Sequence, residues 1–237
     1  MRPGPAFGAL VLAIAAAASA RAEPIAACAL PAQVSTPTLA TPRADEVHAD
    51  VRTAAYLLSL IWSPEECRSH GDSPEADTQC RANHFGFTVH GLWPNGPARY
   101  HPRFCRPVAP VDAATVRANL CMTPSAWLIE HEWAAHGACG WETPAAYFAQ
   151  ERRLRTALDV PDLAPNPDGF LTAGQVRDAF VRRNPAVPRD GLDVHVGKEN
   201  RLEEVRVCYD LRFRYAACLS GTGAPDAAAI RVTPQAH

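Results

Sequence analysis

The segment Phe87-Thr88-Val89-His90-Gly91-Leu92-Trp93-Pro94 places a histidine after a short aromatic-rich run and directly before a rigid turn. A second segment, His131-Glu132-Trp133-Ala134-Ala135-His136-Gly137-Ala138-Cys139, supplies two histidines and a glutamate within six residues. Two histidines can act as an acid and a base near neutral pH without a metal ion. The two segments together therefore indicate acid–base chemistry as well as a fold.

The pair of segments resembles the two active-site motifs of the ribonuclease T2 family, and the resemblance extends from about Ala54 to Leu219. It implies an α+β fold in which helices flank a central antiparallel β-sheet that disulfides staple. It also implies cleavage of single-stranded RNA by transphosphorylation to a 2′,3′-cyclic phosphate, without cofactor or metal. DNA would be spared because it lacks the attacking 2′-hydroxyl.

The resemblance also implies a role for each polar residue of the motifs. His136 corresponds to the general base, His90 to the general acid, His131 to a phosphate contact and Glu132 to a supporting group. Because residues i and i+4 share one face of a helix, Glu132 is expected to orient His136 or to hold its proton. The predicted catalytic residues are therefore His90, Glu132 and His136, and His131 is assigned to substrate binding.

Three further residues after the first motif are candidates for binding a base. Trp93 offers an aromatic face on which a base of single-stranded RNA can stack. Asn95 and Tyr100 follow closely and are predicted to help hold that base.

The second motif departs from the family pattern at two positions. Ala135 stands where the family has a lysine, and Ala138 stands where it has a threonine. The lysine is thought to stabilise the charged transition state, and Lys198 is the only lysine of the chain. Arg99 or Arg103 could replace it. The alternative is a catalytically weakened relative that binds RNA or a partner without cutting.

A zinc hydrolase is a second alternative, since His131-Glu132 followed by His136 is reminiscent of a His-Glu-x-x-His motif. That motif places its histidines at i and i+4 on one helical face. His131 and His136 are at i and i+5, which is about 140° apart on an ideal helix. The spacing therefore predicts no metal site.

The beginning of the chain has the composition of an export signal, predicted over residues 1–22. Arg2 precedes an apolar run from Leu10 to Ala18, and Ala20-Arg21-Ala22 is typical of a cleavage site. The run is shorter than the roughly 20 residues that span a bilayer, although an N-terminal membrane anchor is the alternative. We expect a periplasmic or secreted protein that is free of the membrane after cleavage.

Eight cysteines after an export signal are typical of four disulfides in an oxidising compartment. Proximity in the sequence suggests the pairs Cys67–Cys80 and Cys208–Cys218. The resemblance implies Cys105–Cys139, and elimination then leaves Cys28–Cys121.

The charge of the chain limits how it can bind a polyanion. The formal net charge is −2, and loss of Arg2 and Arg21 with the signal would make it more negative. Proteins with an extended nucleic-acid footprint are usually basic. The sequence is therefore consistent with a monomer that has a small cleft for one or two phosphates.

The rest of the pattern predicts one catalytic domain at 51–220, between an extended lead-in at 23–50 and a loose tail at 221–237. Apolar runs predict strands at 54–62, 84–90, 192–196, 202–209 and 214–218. Helical periodicity and caps predict helices at 111–120, 125–136, 144–158 and 172–183. The polar segment 65–83, bounded by cysteines, is predicted to be a loop.

Overall fold

A computed structural model describes residue 1, residue 25 and residues 27–235. The predicted export signal, apart from Met1, lies outside the described residues. The strands are β1 Ala55–Trp62, β2 Phe87–Asn95, β3 Phe170–Thr172, β4 Leu192–Val196, β5 Leu202–Tyr209 and β6 Ala229–Arg231. The helices are α1 Ser63–His70, α2 Ala113–Asn119, α3 Ala126–Ala135, α4 Pro144–Thr156 and α5 Ala173–Arg183.

Four strands form an antiparallel sheet in the order β2-β1-β5-β4. β1 and β5 are central, and almost all residues of β1 are buried because helices cover the sheet. β2 continues past Pro94 to Asn95, which its position as an edge strand allows. The predicted α+β architecture is confirmed.

The helices pack on this sheet through one hydrophobic cluster. Leu60 of β1, Ile129 of α3, Tyr147 of α4 and Phe180 of α5 are all buried members of it. Side-chain caps at Asp112, Ser125, Thr143 and Thr172 fix where α2 to α5 begin. No helix within the described ranges is long and apolar enough to cross a membrane.

The four disulfides join the predicted pairs: Cys28–Cys121, Cys67–Cys80, Cys105–Cys139 and Cys208–Cys218. Residues 27–50 of the lead-in are irregular apart from a short turn at Ala44–Glu46. The Cys28–Cys121 disulfide and a β-bridge between His48 and Arg103 attach this segment to the domain.

The segment 65–83 is not a loop throughout, since α1 occupies Ser63–His70. This helix has no apolar stripe from which periodicity could predict it. Its charges stabilise it instead: Glu65 and Glu66 lie in the first turn, and Arg68 and His70 lie in the last.

The tail at 221–237 is not loose over its described part. β6 pairs with β3, and Ile230 and Val232 are fully buried. Thr233 O accepts a hydrogen bond from Trp62 Nε1 at 2.8 Å, which attaches the tail to β1. The domain therefore continues beyond residue 220. A few alternating apolar residues are enough to form β6, because β3 pairs with it from a distant part of the sequence.

The predicted strand at 214–218 does not form. Its only ladder contact among the described residues is a single bridge between Tyr215 and Tyr209. β4 occupies that edge of β5 as far as Val207 and β1 occupies the other edge, so only the last residues of β5 are left for this segment to pair with.

Candidate active site

His90 lies at a β-bulge in β2. Gly91 pairs with Ser59 of β1 and Val89 pairs with Leu60, so His90 is the extra residue between them. A bulge bends its strand and re-aims the side chain. The imidazole of His90 reaches a carboxylate on β5, two strands away, and its side chain remains 28% exposed.

Glu204 of β5 holds this imidazole. His90 Nδ1 donates to Glu204 Oε1 at 2.5 Å, and Glu204 Oε2 accepts from Arg206 Nε at 2.7 Å. Burial would raise the pKa of Glu204, but the hydrogen bond and charge of His90, together with Arg206, lower it to about 2. Glu204 is therefore a carboxylate at any pH where the site works.

The pKa of His90 is raised by these acidic neighbours. Burial acts in the opposite direction, but the hydrogen bond to Glu204 and the charge of Glu132 outweigh it. His90 therefore favours the protonated form near neutral pH. Because Nδ1 is engaged by Glu204, Nε2 is the nitrogen left to give a proton to a substrate.

Glu132 of α3 lies buried next to the first motif. Its Oε2 accepts from Trp93 Nε1 at 2.6 Å, and its Oε1 lies 3.6 Å from His90 Nε2. A Cβ on Gly91 would collide with Glu132 Oε2, so only glycine allows this approach. Burial raises the pKa of Glu132 to about 7, although His90 and the Trp93 hydrogen bond act to lower it.

His136 follows the last residue of α3. It has left helical geometry, with φ −125° and ψ −47°. The indole of Trp93 contacts both catalytic candidates, since its ring centroid is 5.0 Å from that of His90 and 5.5 Å from that of His136. Burial, then the charges of Arg103 and His131, lower the pKa of His136 well below its usual value. His136 is therefore neutral near pH 7.

The expected contact between Glu132 and His136 is wrong. The hydrogen bond of the Glu132 carboxylate goes to Trp93, and in the described part of the chain the buried Nδ1 of His136 has no hydrogen-bond partner. His136 N still donates to Glu132 O at 3.0 Å, but the backbone of His136 has left helical geometry, so its side chain does not follow the face of α3 that carries Glu132.

His131 lies between aromatic rings and an arginine. Its ring stacks on Trp127 with centroids 4.9 Å apart and planes at 9°, and it meets the edge of Phe104 at 5.9 Å. Arg103 Nη2 is 3.5 Å from His131 Nε2. Burial, with the charges of Arg103 and His90, lowers the pKa of His131 to about 4. His131 therefore meets an anion as a neutral N–H donor.

The structure places two of the predicted base-binding residues away from this cluster. Asn95 is 7% exposed at the end of β2. Tyr100 is exposed on the following loop, where its ring meets His48 at 4.9 Å. Within residues 27–235, no hydrogen bond or ring contact joins either side chain to His90, Glu132 or His136. Of the three predicted base-binding residues, Trp93 is the one whose ring contacts His90 and His136.

Sequence reasoning missed Glu204 and Arg206. A signal was present, because both lie at alternate positions of a strand whose apolar neighbours predict burial on both sides. Buried charges in a central strand are costly unless they are paired, and here they pair with each other and with His90. A charged pair in such a strand is therefore a marker of a site.

A second buried carboxyl, Glu151 of α4, lies close enough to Glu132 to feel its charge. Burial and then the charge of Glu132 raise the pKa of Glu151 well above 4.5, so the folded protein favours its neutral form. Well below 4.5 it is protonated in both the folded and the unfolded state and adds no pH dependence to stability. As the pH rises toward the folded-state pKa, only the unfolded chain ionises, and the folded state loses about 1.4 kcal/mol per pH unit.

Glu151→Gln is accordingly expected to have a higher free energy of unfolding than the wild type at pH 7. At pH 4 the two proteins should be about equally stable. Denaturant unfolding at several pH values measures the difference. Glu142→Gln, which removes an exposed carboxyl of the neighbouring turn, is the control and should show no such trend. A difference for Glu151→Gln that does not change with pH would contradict burial of a neutral acid.

No group of three or more His, Cys, Asp or Glu residues within the described ranges is arranged to hold a metal ion. What the arrangement offers is two histidines whose surroundings displace their pKa values in opposite directions. Such a pair is suited to acid and base roles at one pH.

Comparison with known proteins places this site within a family. The family model for the Ribonuclease T2 family matches residues 53–218, most of the chain, and the chain therefore belongs to that family. Both histidine motifs lie within the matched residues.

Relatives and solved structures agree with this membership. A protein of Haemophilus influenzae named "Probable ribonuclease" is 31% identical over 70% of this chain and 61% of its own length. A ribonuclease of Aeromonas hydrophila is 37% identical over 45% of this chain and 46% of its own. The chain thus spans less than two thirds of these relatives. Trichomaglin, described as an S-like ribonuclease, shares the fold with a TM-score of 0.63 and 17% identity, covering 78% of this chain and 98% of its own.

Proposed function

We propose that this protein is an exported endoribonuclease that cuts single-stranded RNA without a metal ion, and that His90 and His136 are its acid and base. The observation that carries the proposal is a pair of histidines in contact with one indole, that of Trp93. The surroundings raise the pKa of His90 and lower the pKa of His136. Family membership supports the reaction class.

In the proposed reaction, neutral His136 removes the proton of the ribose 2′-hydroxyl. The 2′-oxygen forms a bond to phosphorus while the bond from phosphorus to the 5′-oxygen breaks. Protonated His90 delivers its Nε2 proton to that leaving oxygen, so one proton is taken and one is given. The products are a 2′,3′-cyclic phosphate and a free 5′-hydroxyl, and a slower hydrolysis of the cyclic ester to a 3′-phosphate follows.

The experiment that tests the activity mixes the oxidised protein with single-stranded RNA, or with DNA of matched sequence, in the presence of EDTA. Cleavage of RNA alone is the expected result. Intact RNA from a folded sample would contradict the proposal, and activity that needs an added divalent ion would contradict its metal-independent form.

The pH dependence of kcat/KM follows from the two pKa directions. Activity should fall on the acid side as His136 gains a proton below 6.5, and on the alkaline side as His90 loses its proton above 6.5. Glu204→Gln removes the carboxylate that raises the pKa of His90. The alkaline limb should therefore move to lower pH while the acid limb stays in place, and pH–rate profiles of both proteins measure this.

Glu203→Gln is the matched control, because Glu203 is the exposed neighbour of Glu204 on the same strand. Its profile should coincide with that of the wild type. If Glu204→Gln instead moved the acid limb, the roles assigned to His90 and His136 would be reversed.

The alanine at position 135 favours a second candidate function. Without the lysine of the family motif, the chain could bind RNA or a partner without cutting it, and Ala135 is fully buried. The same assay separates the candidates, since binding of RNA without any strand scission is expected of the second one only.

Export to the periplasm or beyond the cell is part of the proposal. Four disulfides are typical of an oxidising compartment, and the described residues contain no free cysteine. We propose a monomer whose partner is single-stranded RNA, and whose base preference is influenced by Trp93, Asn95 and Tyr100. Cell fractionation tests the location, and recovery of the protein in the cytoplasm with reduced thiols would contradict it.

A further inference from the structure

The proposed reaction needs a cation that the second motif does not provide. Attack by the 2′-oxygen collects negative charge on the phosphate oxygens, and donors placed in advance are what stabilise such charge. Ala135 contributes only a buried methyl group at the position of the family lysine. Another element close to His131 and His136 would therefore have to supply the positive charge.

The backbone of the loop after β2 is fixed against the end of α3. Phe104 N donates to Ala135 O at 2.8 Å, and Cys105 is joined to Cys139 by a disulfide. Phe104 has a positive φ of 49°, a turn conformation that the surrounding contacts hold in place. Arg103 immediately precedes it, so its side chain is attached next to the motif from which the lysine is missing.

The guanidinium of Arg103 lies beside His131 and over the ring of Phe104, and its charge also reaches the carboxylate of Glu132 without forming an ion pair with it. Nη2 lies 3.5 Å from His131 Nε2, and the charge of Arg103 lowers the pKa of both His131 and His136. Its Nε is buried and, in the part of the chain that the structure describes, has no hydrogen-bond partner. No ion pair of Arg103 with Asp or Glu occurs among the described residues. A buried cationic donor without an acceptor is costly, unless an anion binds there.

Three other cationic side chains are less suited to bind the phosphate, because they are paired with carboxylates or exposed away from the histidines. Arg206 is paired with Glu204 at 2.7 Å and approaches Asp193 at 3.5 Å. Arg99 is exposed, and no contact among the described residues joins it to His90, His131 or His136. Lys198 is exposed in the turn between β4 and β5.

We propose that Arg103 is the catalytic cation of this enzyme: its guanidinium binds the scissile phosphate and stabilises the charge of the transition state in place of the missing lysine. The inference rests on the proposed ribonuclease function. A guanidinium presents its donors as a planar fork that matches two phosphate oxygens. A lysine at position 135 would carry the charge but not this fork. After burial, the charge of Arg103 is the next largest cause of the lowered pKa of His136, so one side chain serves both the phosphate and the base.

The test compares Arg103→Gln, Arg103→Lys and Arg106→Gln with the wild type on single-stranded RNA. Arg103→Gln should lower kcat by about 10²–10³-fold, as loss of one transition-state donor typically does. Arg103→Lys should recover part of that loss, because it restores the charge without the fork. Arg106 lies in the same loop, over Trp133, and donates to the carbonyls of Trp141 and Glu142. Arg106→Gln therefore controls for loss of loop structure and should keep wild-type kcat.

Two further readouts separate phosphate binding from a merely structural effect. Inorganic phosphate should inhibit the wild type and the Arg106→Gln protein alike, and should inhibit Arg103→Gln at least about tenfold more weakly, since an ionic contact is lost. The pKa of His136, followed by NMR, should rise in Arg103→Gln because a nearby positive charge is removed.

The outcomes distinguish this inference from the proposed function itself. If the wild type cuts RNA and Arg103→Gln cuts it equally well, Arg103 is not the catalytic cation. Equal losses in Arg103→Gln and Arg106→Gln, with unchanged inhibition by phosphate, would also overturn the inference. If the wild type does not cut RNA at all, the proposed function fails first. Direct titration of each protein with inorganic phosphate, followed by NMR of His131 and His136, then still decides whether Arg103 binds an anion there.

Discussion

His136→Ala should lower kcat on single-stranded RNA by about 10⁴-fold, the upper end of what a positioned base contributes. The structure explains why no neighbour can take over. His131 is fixed between Trp127 and Arg103, and the carboxylate of Glu132 is bonded to Trp93. The variant should still fold, because the buried Nδ1 of His136 has no hydrogen-bond partner among the described residues to lose and the main cost is the lost packing of its ring on Trp93.

A matched control is His70→Ala, which removes an exposed histidine of α1 and should leave activity unchanged. His90→Ala should lose a similar factor, although it also removes the hydrogen bond to Glu204. The double variant His90→Ala/His136→Ala should be hardly less active than either single one, because groups that act as a unit are not additive. Wild-type rates in His136→Ala with intact folding would rule out the assigned base.

Arg177→Met should lower the free energy of unfolding by about 3–5 kcal/mol, the usual cost of breaking a buried charged network on one side. Arg177 of α5 is almost fully buried. It donates to the carbonyls of Leu192, Thr222 and Ala224 and forms an ion pair with Asp226. Removing the guanidinium takes this donor from the carbonyls of Leu192 and Ala224, which adds to the loss, while Thr222 O still accepts from Val194 N.

Denaturant unfolding of Arg177→Met measures this effect, and far-UV circular dichroism checks that it folds. Arg182→Met provides the comparison, because Arg182 is an exposed residue near the end of the same helix and should cost less than about 1 kcal/mol. Equal stability of both variants would mean that the segment 222–226 does not depend on Arg177.

The residues that carry chemistry could be predicted because their signals are local. His90 and His136 each lie in a short segment with an unusual spacing, and family resemblance assigned them roles. Strands β1, β4 and β5 were predicted nearly to the residue, since β1 is a continuous apolar run and β4 and β5 place apolar residues at alternate positions. The capping box at Thr172 predicted the beginning of α5 correctly.

The remaining features depend on contacts between distant parts of the chain. Glu204 meets His90 across 114 residues, through a strand that lies between theirs in the sheet. The tail packs because β3 is available to pair with β6, which no pattern within 221–237 reveals. The error concerning Glu132 and His136 has a local origin instead: helical spacing was applied one residue past the point where α3 ends.

Arg103 illustrates an intermediate case. The missing lysine at Ala135 was visible in the sequence, and both Arg99 and Arg103 were candidates to replace it. Composition could not distinguish them, because the choice depends on how the loop after β2 is fixed to α3. The hydrogen bond from Phe104 N to Ala135 O and the disulfide at Cys105 turn Arg103, and not Arg99, toward the histidines.

One measurement tests the proposed chemistry most directly: cleavage in EDTA of a DNA oligonucleotide that contains a single ribonucleotide, with the product ends read by mass spectrometry. Attack by a 2′-hydroxyl predicts one cut, immediately 3′ to the ribonucleotide, with a 2′,3′-cyclic phosphate on one product and a 5′-hydroxyl on the other. A 2′-O-methyl ribonucleotide at the same place should abolish the cut. Cleavage elsewhere in the strand, or a 5′-phosphate end, would contradict transphosphorylation by His90 and His136.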